Sequence, residues 1–201
     1  MGRTDPRKLW PLIYKDGRVI RCEETANPTE DILTLDPTRE AVPLKLWNTA
    51  GGGAGAVAAF HIHRTEPSVT GSLQVRDVPA LEGTACLVYE HFFSKRCFVL
   101  LPEERQEFSL KAGQCALYLL IPLTGSVTPI GLINKYISID TVLALRDTGR
   151  STLVSLKEGG TFAFYAKNKP QQVILAGTQK KSCSLRAEMF TSWNAETVPV
   201  K

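Results

Sequence analysis

The sequence predicts a mainly β protein, an antiparallel two-sheet β-sandwich with one short N-terminal helix, and three observations carry that expectation. Apolar runs rich in Val, Ile, Leu, Phe and Tyr recur along the chain. Each is about five to eight residues long and closed by a cluster of Gly, Pro, Asn, Asp or Lys, which is the pattern of strands and turns. Several runs alternate their apolar faces with period two. Only one stretch, near the N-terminus, has helical spacing. Short half-buried strands hide their apolar faces only against one another, so packed sheets or a barrel follow.

In chain order, the helix comes first. Asp5 suits a cap, Pro6 suits the first turn, and Leu9, Trp10, Leu12 and Ile13 fall on one side before the Asp16-Gly17 turn. Candidate strands follow at 18–22, 43–48, 56–63, 68–75, 84–92, 96–101, 106–110, 115–121, 127–133, 139–146, 151–157, 161–166, 172–176 and 183–190. The glycine run 51–55 separates two of them; it is no phosphate loop, because no Lys-Ser/Thr follows and no helix begins there. The run 116–121 is apolar on both faces and reads as a central strand. In 161–166, Phe162, Phe164 and Ala166 share one face, and the preceding 157–160 reads as a hairpin turn. After about residue 177 the chain turns polar, and a loose end is expected.

Composition bounds the function. The 201 residues are 43% apolar and 22% charged, with 15 Gly and 12 Pro, the balance of a globular chain. The 24 Lys and Arg against 20 Asp and Glu give +4. These charges are scattered, and the densest cluster, Lys180-Lys181 after Lys167 and Lys169, is too thin for a phosphate-tracking face. No apolar run approaches the roughly 20 residues of a membrane span, and the N-terminus lacks a signal-peptide core. The expectation is a cytoplasmic chain with neither nucleic acid nor membrane as partner. Cys22, Cys86, Cys97, Cys115 and Cys183 are far apart and contain no Cys-x-x-Cys pair; four of them sit in or beside strand-like runs and read as small hydrophobes, with a catalytic thiol as the alternative.

The sharpest local pattern is His61-x-His63-x2-Glu66. On a strand the two histidines share a face and Glu66 could complete a divalent-metal site, which approaches the first motif of cupins. Gly125-x3-Pro129-x-Gly131-x2-Asn134 approaches the second, with Asn134 where a His ligand belongs. The plainer reading puts both histidines on the solvent side of a strand whose other face is Ala58, Phe60 and Ile62. Paired carboxylates of glycosidase type are not placed face to face by the sequence, although Glu30, Asp31, Asp36, Asp77, Glu82 and Glu90 are candidates. No Gly-x-Ser-x-Gly elbow is present.

A series of strings in fixed order carries a resemblance. These are Asp16-Gly17-Arg18-Val19-Ile20-Arg21, Pro28-Thr29-Glu30-Asp31, Leu35-Asp36-Pro37, Leu44-Lys45-Leu46-Trp47-Asn48 and Gly55-Ala56-Val57-Ala58-Ala59-Phe60. Val69-Thr70-Gly71, Arg76-Asp77-Val78, Leu81-Glu82-Gly83, Val88-Tyr89-Glu90-His91 and Pro129-Ile130-Gly131-Leu132-Ile133-Asn134-Lys135-Tyr136 continue it. Over about residues 4–177 the chain resembles the C-terminal region of the raffinose synthase and alkaline α-galactosidase (seed imbibition) family of glycoside hydrolases, which are family-36-like. Members usually carry a less His-rich segment where this chain has His61-Ile62-His63.

The resemblance implies α-galactosyl transfer or hydrolysis by two aspartates on a (β/α)8 barrel that would lie upstream of Met1. No position here matches either aspartate motif. It further implies that residues 1–16 match the last barrel helix, 17–177 a C-terminal β-sandwich domain, and 178–201 terminal strands and a polar tail. Thr29, Glu30, Asp31, Trp47 and Asn48 match segments adjoining the barrel, so they are the substrate-adjacent candidates.

Three functions follow as expectations. The first is a non-catalytic β domain that supports the barrel, with Leu9, Trp10, Leu12 and Ile13 packing against the barrel or a self-associating partner. The second is a carbohydrate-binding module for α-galactoside sugars using the exposed aromatics Trp47, Tyr89 and Trp193. The third is a cupin-like metalloprotein using His61, His63 and Glu66. On the first two, no cofactor is expected.

Overall fold

The computed structural model describes residues 5–175, 178–179 and 194–199. The expected strand 183–190, Cys183 and Trp193 lie outside the described residues. Strands dominate, and the chain divides into two units, Cys22–Leu123 and the paired segments Met1–Arg21 with Thr124–Lys201.

Eight strands build the first unit: β1 (Asn27–Pro28), β2 (Leu44–Ala50), β3 (Ala54–Phe60), β4 (Ser68–Leu73), β5 (Cys86–Glu90), β6 (Cys97–Leu100), β7 (Gln106–Lys111) and β8 (Cys115–Pro122). Six form an antiparallel sheet in the order β1-β2-β3-β8-β5-β6, and β4 pairs with β7 separately. The glycine run makes the β2–β3 connection. Gly52 sits at φ +72, a region that costs a residue without Cβ little, and the strands then pair from Ala50↔Ala54 out to Leu44↔Phe60. The expected central strand is β8, hydrogen-bonded to β3 on one side and β5 on the other.

Period-two alternation aims one face of the large sheet at the β4–β7 pair. Val57 and Ala59 of β3, Val88 of β5, and Ala116, Tyr118 and Leu120 of β8 form one buried cluster with Val69 and Leu73 of β4 and Leu110 of β7. This is the two-layer antiparallel packing expected of a sandwich. The sheet's other face is buried too, through Ala54, Ala56, Leu87, Tyr89, Leu119 and Ile121.

The second unit holds β9 (Val127–Leu132), β10 (Val142–Asp147), β11 (Thr152–Leu156), β12 (Thr161–Ala166), β13 (Ile174–Leu175), β14 (Thr178–Gln179) and β15 (Asn194–Pro199). Its sheet runs β15-β12-β9, beside the hairpins β10–β11 and β13–β14. Phe162, Phe164 and Ala166 cluster with Leu132, and Val142, Val154 and Leu156 of the β10–β11 hairpin pack on them. Residues 157–160 therefore do not close a hairpin. They join β11 to β12, because β11 takes its backbone hydrogen bonds from β10 and β12 from β9 and β15.

Pro129-x-Gly131 marks a bulge in β9, where the β12 register slips between Ala163 and Phe164. Gly131 has φ +94, and a Cβ there would lie 1.9 Å from the Ser138 carbonyl oxygen. The Ser138 hydroxyl donates to the Ile130 carbonyl at 2.6 Å, and the Leu132 amide donates to the Thr141 hydroxyl at 2.8 Å. The string is thus accounted for by backbone packing.

The expected N-terminal helix is two 3₁₀ turns, Pro6–Lys8 and Trp10–Leu12. Pro11 has no amide to donate and disfavours helical geometry at Trp10, so the pattern of apolar residues propagates no α-helix. The stretch 18–22 makes only an isolated bridge, Val19 to Ile13. Within this unit the segment is held by polar contacts: Lys135 Nζ donates to the carbonyls of Trp10, at 2.9 Å, and Ile13, and pairs with Glu158 at 3.0 Å. The Tyr14 hydroxyl donates to the Asp140 carboxylate at 2.5 Å. Leu9, Trp10 and Leu12 remain exposed, Trp10 by 61%.

Candidate functional site

A buried ammonium organises the first unit. Lys45, on β2, is 1% exposed, because alternation turns it toward the β4–β7 layer, and its stem is enclosed there. Its Nζ donates to Asp77 Oδ2 at 2.8 Å and to the Ser72 carbonyl at 2.7 Å, and it pairs with Asp31 Oδ2 at 2.9 Å. Three donors thus meet three acceptors, which satisfies the head group.

Each partner is positioned by its own short element. Asp77 ends the 3₁₀ turn Val75–Asp77, and its carboxylate also accepts the Gln74 amide at 3.0 Å. Asp31 sits in the 3₁₀ turn Glu30–Ile32, where its Oδ1 accepts the Thr29 hydroxyl at 2.6 Å. Buried Thr29 is tied to β2 through its amide, which donates to the Lys45 carbonyl at 3.1 Å. Burial lifts the Asp77 carboxyl above its ordinary range, while the Lys45 charge and the Gln74 amide pull the other way. The side chain of Asp31, in contrast, is 42% exposed.

Beside this clasp opens a cleft of about 240 Å³, lined by Asp31, Lys45, Thr70, Ser72, Arg105 and Glu107, with Ile32, Leu35, Val42 and Pro43 as its apolar wall. Of the substrate-adjacent candidates, Thr29 and Asp31 come together here. Glu30 is exposed on the same turn, whereas Trp47 packs against the core. Asn48 closes a backbone pairing instead, its amide exchanging hydrogen bonds with the Glu24 amide and carbonyl at 3.2 and 2.6 Å. Lys45, Arg105 and Glu107 were not read from the sequence; a lone Lys between Leu44 and Leu46 in a strand was the available signal.

The other candidates disperse. β3 ends at Phe60, so His61 and His63 do not extend its alternation. His61 is buried, with no hydrogen-bond partner on Nε2, and His63 Nδ1 accepts the amides of Thr65 and Glu66 at 3.1 and 2.9 Å. Among the described residues no three His, Cys, Asp or Glu side chains are grouped to hold a metal ion. Tyr89, expected as an exposed aromatic, is 2% exposed, because β5 is buried at every position.

Asp36 folds back on Thr38, and Glu82 is exposed. Glu90 is another organised carboxylate. At the β5–β6 connection it accepts the amides of Phe92, Phe93, Ser94 and Lys95 and the Ser94 hydroxyl at 2.6–3.2 Å. Burial works against its charge, but these donors hold its carboxyl below the usual range.

The family model described as raffinose synthase or seed imbibition protein Sip1 matches residues 1–185. Among curated relatives, the chain is 26% identical to the Arabidopsis thaliana "Probable galactinol--sucrose galactosyltransferase 6" over 89% of its own length and 28% of the relative's. It is 27% identical to the Pisum sativum "Stachyose synthase", over 89% of its own length and 24% of that protein's. The chain thus spans about a quarter of the length of these relatives.

Proposed function

The chain belongs to the raffinose synthase or seed imbibition protein family, and from that premise we propose that it is a non-catalytic C-terminal β domain working with the catalytic part of an α-galactosyl-transferring or α-galactoside-hydrolysing enzyme. One observation carries this reading. The family match runs through residues 1–185, whereas the described residues hold strands and 3₁₀ turns, not the alternating strands and helices of a barrel.

The organised carboxylates support it. Asp31 and Asp77 share one ammonium, and Glu90 is saturated by backbone amides, whereas a glycosidase needs two carboxylates flanking a bond, one of them able to give a proton. The domain's work is then to support a barrel, with Leu9, Trp10 and Leu12 as the apolar contact. Cytoplasmic placement fits the free thiols of Cys86, Cys97 and Cys115.

The test is turnover of an aryl α-galactoside, and of galactinol with sucrose, by the purified chain at high concentration. No turnover is expected, together with capture of a separately expressed catalytic barrel that weakens when Leu9 and Trp10 are changed to Ser. Turnover abolished by a single Asp or Glu substitution in this chain overturns the reading.

A further inference from the structure

Residues 10–13 reverse the usual way a segment is packed. Their four successive carbonyls are all taken: Lys135 Nζ donates to those of Trp10, at 2.9 Å, and Ile13, the Tyr136 amide to that of Pro11 at 3.0 Å, and the Ile20 amide to that of Leu12 at 2.8 Å. The apolar side chains stay outside. Between residues 9 and 20 only Tyr14 and Ile20 are buried, while Leu9, Trp10 and Leu12 are exposed. The Leu12 amide donates to the Leu9 carbonyl at 2.8 Å, a 3₁₀ bond that brings Leu9 and Leu12 to the same side of the turn. A segment held by hydrophobic packing would bury such side chains and leave its polar groups to water.

The holding group is an ion pair. Lys135 is 4% exposed, and its third partner is Glu158 Oε1 at 3.0 Å, on a side chain that is 9% exposed. Glu158 Oε2 accepts the Lys15 amide at 2.6 Å, so both members of the pair grip the same stretch of backbone. A second anchor lies beside them, where the Tyr14 hydroxyl donates to Asp140, itself paired with Lys157 at 3.1 Å. Taking an ammonium and a carboxylate out of water costs about as much as their attraction returns, and two apolar side chains of similar size would stabilise the unit as well. What the pair supplies is direction. Three N–H donors on three acceptors fix where the Trp10 and Ile13 carbonyls lie, whereas an apolar contact in the same place would draw Leu9, Trp10 and Leu12 inward.

We propose that Lys135 and Glu158 form a latch that presents Leu9, Trp10 and Leu12 as a preset apolar docking strip, whose occupant is the catalytic barrel. The occupant rests on the function proposed above; the latch rests on the geometry alone. Lys135 and Glu158 are then positioning residues, buried away from the partner yet setting the strip that meets it. A strip set before the partner arrives loses less freedom on docking than a loose segment would.

The experiment compares the full chain with Lys135→Met and with the double variant Lys135→Met/Glu158→Leu, which puts two apolar side chains where the pair was and so keeps the β9–β12 sheet folded. Amide hydrogen exchange reads the latch, and capture of a separately expressed catalytic barrel reads the docking. Loss of the charged hydrogen bonds should speed exchange at the Tyr14 and Ile20 amides about tenfold or more and weaken capture by about as much, although Leu9, Trp10 and Leu12 are unaltered. The amides paired between β9 and β12 should exchange as in wild type. Unchanged exchange at Tyr14 and Ile20 overturns the proposal. Loss of protection throughout the β9–β12 sheet of the double variant does so too, because Lys135 would then hold the whole unit together and not aim the strip. The remaining failures are distinct. Wild-type chain that protects the segment but captures no barrel refutes the function proposed above and the occupant with it, whereas capture that survives in the double variant refutes the latch alone.

Discussion

Replacing Lys45 by Met keeps most of the stem's volume and removes only the charge, so it isolates what the ammonium does. The Asp77 side chain is 5% exposed and would be left without its counter-ion. Breaking a buried pair from one side costs about 3–5 kcal/mol, far more than the pair's net worth, because the remaining charge stays desolvated. The Asp31 contact adds little, since that carboxylate reaches water. At roughly 2–4 °C per kcal/mol for a chain of this size, Lys45→Met should melt about 6–20 °C below the wild type at neutral pH.

Adding Asp77→Asn removes the orphaned charge, so the double variant should recover at least about 1.5 kcal/mol relative to the sum of the two singles. pH supplies a second readout. A buried carboxyl whose pKa is already raised takes up a proton more readily once Lys45 is gone, so the deficit of Lys45→Met should shrink as pH falls through the raised carboxyl range. Circular dichroism melts of the four proteins decide the matter. A Lys45→Met loss under about 1 kcal/mol, or strict additivity in the cycle, refutes the argument.

Glu90 should show the opposite pH sign. Its carboxyl is held below the ordinary 4.5, so its stabilising contribution is complete above that value and drains away as pH falls through the lowered one. Wild type should therefore lose melting temperature faster than Glu90→Gln on acidification, and parallel losses would sink the idea. Gly131→Ala forces a Cβ to within 1.9 Å of a backbone oxygen at φ +94, so it should cost at least about 2 kcal/mol in urea unfolding, whereas Gly149→Ala, at positive φ with open space, should cost less.

Where apolar pattern decided the outcome, the strands were legible. The runs at 43–48, 115–121 and 161–166 became β2, β8 and β12, because alternation and turn residues act locally. The helix at Leu9 to Ile13 failed on one residue, Pro11, whose missing amide outweighs the spacing of its neighbours. Tyr89 misled for another reason. An aromatic in a strand reads the same whether its face is wet or dry, and burial on both sides of β5 is a tertiary fact. The candidate site was half legible. Thr29 and Asp31 lie in one string, but Lys45, Asp77 and Arg105 meet them only after β2, β4 and β7 are layered, and no local pattern reports a contact between residues 32 positions apart.

The two-residue strand β1 carries a consequence for how the protein behaves among copies of itself. Asn27–Pro28 forms the margin of the six-stranded sheet, where an open ladder would invite another chain to add a strand. Two residues offer almost no template, and one of them has no amide hydrogen to give. At the opposite margin β6 is four residues long, preceded by Lys95 and Arg96 and followed closely by Pro102. Both borders of this sheet are thus closed to strand addition by brevity, charge and proline, so a second copy of the chain finds little open ladder to extend there.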